Sequence, residues 1–123
     1  RESSLTAGSI EYVNAHGTGT VLNDSAESKA IRSTLGGRVP VSSTKSYFGH
    51  TLGASGGLEA VITVLALMHQ VAPPTLRLDC TEEECGLDCI PNLPRPMTLN
   101  RALSNTFGFG GSNISLIFRR AGE

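Results

Sequence analysis

The sequence predicts an α/β domain, and three observations carry that reading. Short β-branched segments alternate with helical ones in the order β-α-β-α-β-β. Glycine-rich loops, "HGTGT", "FGHTLGASGG" and "FGFGGSN", each follow a predicted strand. One helix, around "LEAVITVLALM", has almost no polar face, which places it between layers and packed on several sides.

The elements follow in order. "SIEYVNAH" alternates around Ile10, Tyr12 and Val13 and reads as a strand. "NDSAESKAIRSTLGG" reads as a helix, with Asp24 as N-cap, Glu27 three residues on as in a capping box, and Gly36 and Gly37 as the stop. "RVPVSSTKS" is a second strand, rich in β-branched and hydroxyl residues. The long apolar helix runs from Ser55 to His69, and Pro73 and Pro74 end it. "TLRL" reads as a short strand, and residues 80–96 as an acidic, proline-bearing excursion. "ALSNTFGFGGSNISLIFRR" closes the chain as two strands around a glycine turn.

Composition narrows the function. The 123 residues make one domain, with a net charge of −1 and no basic stripe, which argues against nucleic acid and an anionic membrane surface as partners. "LEAVITVLALM" falls short of the ~20 apolar residues that span a bilayer. Charged residues are 17%, below the usual ~25%, and glycines number fourteen, so the chain is expected to pack against another domain or chain. It starts "RESSLTAGSI", with neither initiator Met nor signal peptide, and reads as a piece of a longer cytoplasmic protein. Cys80, Cys85 and Cys89 are odd in number, which argues against a disulfide framework. Their spacing differs from zinc-binding pairs and no histidine lies near, so no metal is expected and they read as free thiols.

The chemistry lies in the loops. His16, Lys45 and the "FGFGG" turn each sit just past a predicted strand, where active sites of α/β sheets gather. Alone, His16 or His50 reads as a structural residue of its own loop. With Lys45 between them, they read as two N–H donors for one developing oxyanion, kept neutral by the nearby ammonium. Such a set stabilises an enolate and lacks a nucleophile. Glu59 needs a partner on so apolar a helix. Either Lys45 supplies it, or Glu59 is wetted in the first turn near the helix dipole. Thr18 and Thr20 satisfy local backbone or bind a polar ligand arm. Neither "GTGT" nor "GFGGSN" matches a nucleotide-binding loop.

"VNAHGTGTVLNDSAE", "VPVSSTKSYFGHTLGASGGLEA" and "LSNTFGFGGSN" resemble, in family order, the C-terminal half of two-histidine β-ketoacyl synthases, closest to the discrete elongating type. The resemblance implies one domain over residues 1–123, the C-terminal half of a thiolase-like layered αβαβα fold, with a mixed five-stranded sheet packed with helices. It implies decarboxylative Claisen condensation of a malonyl thioester with an acyl thioester, in fatty acid or polyketide synthesis. His16, His50 and Lys45 fall on catalytic positions, Glu59 on the lysine's ion-pair partner, and Thr18 and Thr20 on contacts to the phosphopantetheine arm. Phe109 falls on the gating phenylalanine, whose backbone N–H serves the acyl oxyanion hole, within a mobile loop of Phe107, Gly108, Gly110 and Gly111. The implied partners are acyl carrier protein, which brings the arm so that the enzyme holds no cofactor of its own, and an N-terminal half or partner chain, within a dimer of complete units. The nucleophilic cysteine belongs to that N-terminal half, and Cys80, Cys85 and Cys89 match no catalytic position. Val21 stands where proline is common, and Tyr47 and Phe48 where Met-Thr is usual. The alternative is a non-catalytic subunit of the chain-length-factor type that pairs with an active partner.

Overall fold

The structure, a computed structural model, describes residues 5–79 and 86–122. Its centre is a mixed five-stranded sheet in the order β4-β2-β1-β6-β7. These strands are β1 (Tyr12–Asn14), β2 (Pro40–Ser42), β4 (Asp88–Cys89), β6 (Arg101–Phe107) and β7 (Asn113–Arg119). The first four are parallel, and β7 returns antiparallel beside β6. Two short strands, β3 (Val71–Ala72) and β5 (Arg95–Pro96), pair antiparallel apart from this sheet. Among the described residues the α-helices are α1 (Val21–Leu35), the single turn α2 (Lys45–Phe48) and α3 (Ser55–His69).

The period of two along each strand splits the core. Val13 and Val41 join Ile31 of α1 and Leu87 on one face, while Tyr12 and Ala102 join Ala66 and Leu67 of α3 on the other. All three residues of β1 are buried because both faces are covered, as parallel sheets require. The arrangement is an α/β layering consistent with a thiolase-like fold.

Several expectations need correction. Thr20, not Asp24, caps α1: its side chain accepts from Asn23 N, and Asp24 accepts instead from Gly19 N. Glu27 is buried, so it serves no capping box. "TLRL" forms no strand; Thr75 makes only an isolated bridge with Pro91. Cys89 lies in β4 and not in an irregular excursion, while Cys80 and Cys85 fall outside the described residues. Helical turns run from Leu52 to His69, 18 residues with mean hydropathy 1.4, so by length and composition this stretch reaches what a membrane span needs. It packs on the sheet instead.

Within this chain the sheet covers α3 on one side only. The helix turns Ser55, Glu59, Thr63, Ala66 and Leu67 inward, a stripe at a spacing of about four. Other apolar residues of the helix, among them Leu58, Val61, Leu65 and Met68, are exposed. The polar stripe faces the sheet because Glu59 and Thr63 find partners there: Asn14 Nδ2 donates to the Glu59 carbonyl (3.3 Å) and to Thr63 Oγ1 (3.2 Å).

Candidate active site

The C-terminal ends of the parallel strands meet at one place. Past β1 comes His16, past β2 comes Lys45 at the start of α2, and β6 ends at Phe107. The imidazoles of His16 and His50 stand edge to face, with ring centroids 5.3 Å apart and planes at 87°. Phe107 packs its ring 5.2 Å from that of His16.

Hydrogen bonds assign the tautomers. His16 Nδ1 lies 3.2 Å from Lys45 Nζ and accepts from the Phe107 backbone N–H at 3.3 Å. An amide N–H only donates, so Nδ1 carries the lone pair and the ring proton sits on Nε2. His50 Nδ1 accepts from the backbone N–H of Leu52 (3.0 Å) and lies 3.2 Å from Ser55 Oγ. Its proton is therefore also on Nε2. Leu52 takes φ of 51°, a left-handed conformation costing a non-glycine residue about 1–2 kcal/mol, in the turn that aims its N–H back at the ring.

Burial, reinforced by the positive charge of Lys45 and by His50, holds the His16 pKa down at about 4 against the usual 6.5. The ring is therefore neutral around pH 7. Lys45 pairs with Glu59 Oε1, and both side chains are buried. Burial pushes the Glu59 carboxyl above its ordinary range, while its bonds to Lys45 and Thr106 oppose the shift. The paired alternative for Glu59 thus describes the geometry, since the carboxylate is fully buried and not wetted.

Glu27 was not anticipated as part of this constellation. Its carboxylate accepts from His16 N and Gly17 N, both at 2.9 Å, and from Asn105 Nδ2 at 3.1 Å. One side chain thus joins α1, the loop after β1 and the end of β6. The available signal was its position four residues before Ile31, on the buried face of the helix. Asn14 was missed too: it is fully buried, and its Oδ1 accepts from Thr44 Oγ1 at 3.1 Å, beside Lys45.

The other predicted residues lie around this centre. The hydroxyls of Thr18 and Thr20 are 3.0 Å apart, and that of Thr20 also caps α1. Together with Gly17, Lys45 and His50, Thr18 borders a cavity of roughly 430 Å3. Phe109 is 93% exposed at the tip of the β6–β7 hairpin. Gly110 and Gly111 follow it at φ of 84° and 85°, a region nearly closed to other residues. Gly108 closes the turn by donating to the Ser112 carbonyl at 2.7 Å. Tyr47 and Phe48 are exposed on α2, and Val21 is exposed at the start of α1. Among the described residues, no cluster of His, Cys, Asp and Glu is arranged to hold a metal.

Chemically, the site offers two N–H donors on neighbouring imidazoles, each fixed from behind. The family described as β-ketoacyl synthase, C-terminal domain, matches residues 1–79. The chain is 46% identical to a 3-oxoacyl-[acyl-carrier-protein] synthase 2 of Vibrio harveyi, over 100% of this chain and 31% of that protein. Among solved structures, the ishigamide ketosynthase/chain length factor matches with a TM-score of 0.93 at 34% identity, over 98% of this chain and 30% of that one. A type II polyketide ketosynthase in complex with its acyl carrier protein matches at 0.89 and 32%, over 97% and 30%. The chain thus spans under a third of the length of these relatives. By sequence and by fold, it belongs to the β-ketoacyl synthase family of thiolase-fold condensing enzymes, as its C-terminal domain.

Proposed function

We propose that residues 1–123 form the decarboxylating half of a β-ketoacyl-[acyl carrier protein] synthase. The observation that carries this reading is the pair of imidazoles 5.3 Å apart, each with Nδ1 engaged and Nε2–H left to donate. A malonyl thioester oxygen placed between them accepts both N–H groups. The bond from the methylene carbon to the carboxylate breaks, carbon dioxide leaves, and the electron pair moves into an enolate whose oxygen the two donors stabilise. The enolate carbon then attacks an acyl thioester on a cysteine of the N-terminal half, forming the new C–C bond and expelling the thiolate. Lys45 keeps His16 neutral and turned the right way, and Glu59 holds Lys45. Thr18 and Thr20 receive the phosphopantetheine arm of an acyl carrier protein, and Phe109 gates the site between Phe107, Gly108, Gly110 and Gly111.

The exposed stripe of Leu58, Val61, Leu65 and Met68 supports the half-domain reading, since an N-terminal half would cover it. The likeness to a ketosynthase/chain length factor favours one alternative, a non-catalytic subunit beside an active partner. Such a scaffold has no use for the His16–Lys45–Glu59 relay, which counts against it. The test is malonyl decarboxylation by the complete synthase. His16→Ala or His50→Ala lowers it by about two to three orders of magnitude, as losing one oxyanion donor does, and largely spares acyl transfer to the cysteine. Equal loss in both half-reactions means that the histidines only hold structure.

A further inference from the structure

We propose that Ser43 is a positioning residue for the His16 donor, acting through the Gly17 peptide; the proposal rests on the decarboxylase reading above. The backbone pairing of β1 and β2 ends where Ala15 N donates to the Ser42 carbonyl at 2.8 Å. One side chain carries the pairing further: Ser43 Oγ donates to the Gly17 carbonyl at 2.7 Å. This added rung lies one residue after His16 and two before Lys45, so it ties together the two loops whose spacing sets the 3.2 Å contact from Lys45 Nζ to His16 Nδ1.

The contact is close. Gly17 has φ of 37°, and a Cβ built on it would lie 2.5 Å from Ser43 Cβ and 2.7 Å from Ser43 Oγ. Only glycine lets the two loops approach this far. Ser43 is the fixed side of the rung. Its N–H donates to Thr75 Oγ1 at 2.8 Å, and its carbonyl accepts from Ser46 Oγ at 3.0 Å. Ser46 Oγ in turn accepts from Leu76 N at 2.9 Å. Gly17 is the side being held: Glu27 takes its N–H and Ser43 takes its carbonyl. Without the hydroxyl, the Gly17 peptide keeps only one of its two anchors, and the imidazole next to it loses its register with Lys45 and the Phe107 N–H.

The complete synthase tests this with malonyl decarboxylation and acyl transfer measured side by side. Ser43→Ala lowers kcat for decarboxylation about tenfold, with KM for the malonyl carrier and the rate of acyl transfer within about twofold of wild type. Ser43→Cys keeps a weaker donor on the same side-chain frame and loses no more than about threefold. A Ser43→Ala enzyme with wild-type decarboxylation overturns the proposal while leaving the function standing. Equal loss in both half-reactions, or a cysteine variant as impaired as the alanine one, also overturns it. A wild-type synthase that does not decarboxylate malonyl thioesters overturns the function and the positioning role together.

Discussion

Acidification should find His16 late. The unfolded chain takes up a proton on this imidazole near pH 6.5, whereas the folded site holds the pKa at about 4. The shift is downward, so the associated stability is fully present above about pH 6.5. It is lost as the pH falls through the interval to about 4, because the unfolded state binds the proton first. At about 1.4 kcal/mol per unit, the whole interval amounts to about 3 kcal/mol. The assay is chemical denaturation of the complete synthase between pH 7.5 and about 4.5, comparing wild type with His16→Gln, which has no titrating ring. Other carboxylates and histidines titrate in both proteins and cancel in the difference. The wild type should lose stability relative to the variant at up to about 1.4 kcal/mol per unit below about pH 6.5. Parallel curves refute the reasoning, because the imidazole then protonates in place at its ordinary pKa and neither burial nor Lys45 holds it neutral.

Three further outcomes follow from the same contacts. Glu59→Gln leaves the Lys45 ammonium buried without a counter-charge and should cost about 3–5 kcal/mol in denaturation, or release a proton that calorimetry detects; a variant as stable as wild type in both measurements removes the ion pair from the account. Phe109→Ala should let malonyl thioester decarboxylate before the acyl group arrives, seen as carbon dioxide release without condensation, and wild-type coupling ratios would show that the exposed ring gates nothing. Leu65→Arg, in the middle of the exposed α3 stripe, should block assembly with the N-terminal half, read by size-exclusion chromatography of co-expressed halves; undiminished assembly would place the interface elsewhere.

Much of this molecule was legible from local chemistry. The limits of α3 follow from its apolar run and the prolines beyond it, and Ser55–His69 matches the reading. The meeting of His16, Lys45, His50 and Phe107 was legible because each lies at or past the end of a predicted strand, in or beside a glycine-rich loop. What escaped depends on groups that sequence does not label. The Phe107 N–H that sets the His16 tautomer is backbone, present at every residue but proline. Glu27 satisfied a capping pattern so well that the buried helix face it shares with Ile31 went unread. Thr20 reads either as a local backbone partner or as a ligand contact, and its hydroxyl accepts from Asn23 N as the helix cap that the sequence pattern gives to Asp24. The strands β4 and β5 are two residues long, too short for any periodicity to register. In α3, apolar side chains outnumber polar ones, but Asn14 and Lys45 across the gap decide which stripe turns inward.

The engaged Nδ1 atoms also bear on what small molecules this site accepts. With Lys45, Phe107 and Leu52 behind them, neither ring has a lone pair free, so each imidazole has only an N–H donor to offer an incoming molecule. A competing compound must therefore bring acceptors, and a single oxygen able to take two N–H groups fits best: a ketone, a carboxylate or a sulfone. An amide that points its N–H inward, or an amine, meets two like dipoles and loses the water it displaced. Reversing an amide within a series of otherwise identical inhibitors should change affinity strongly, with the carbonyl-inward isomer the tighter binder. A ring flip that would soften this preference costs either histidine the bonds to its own Nδ1.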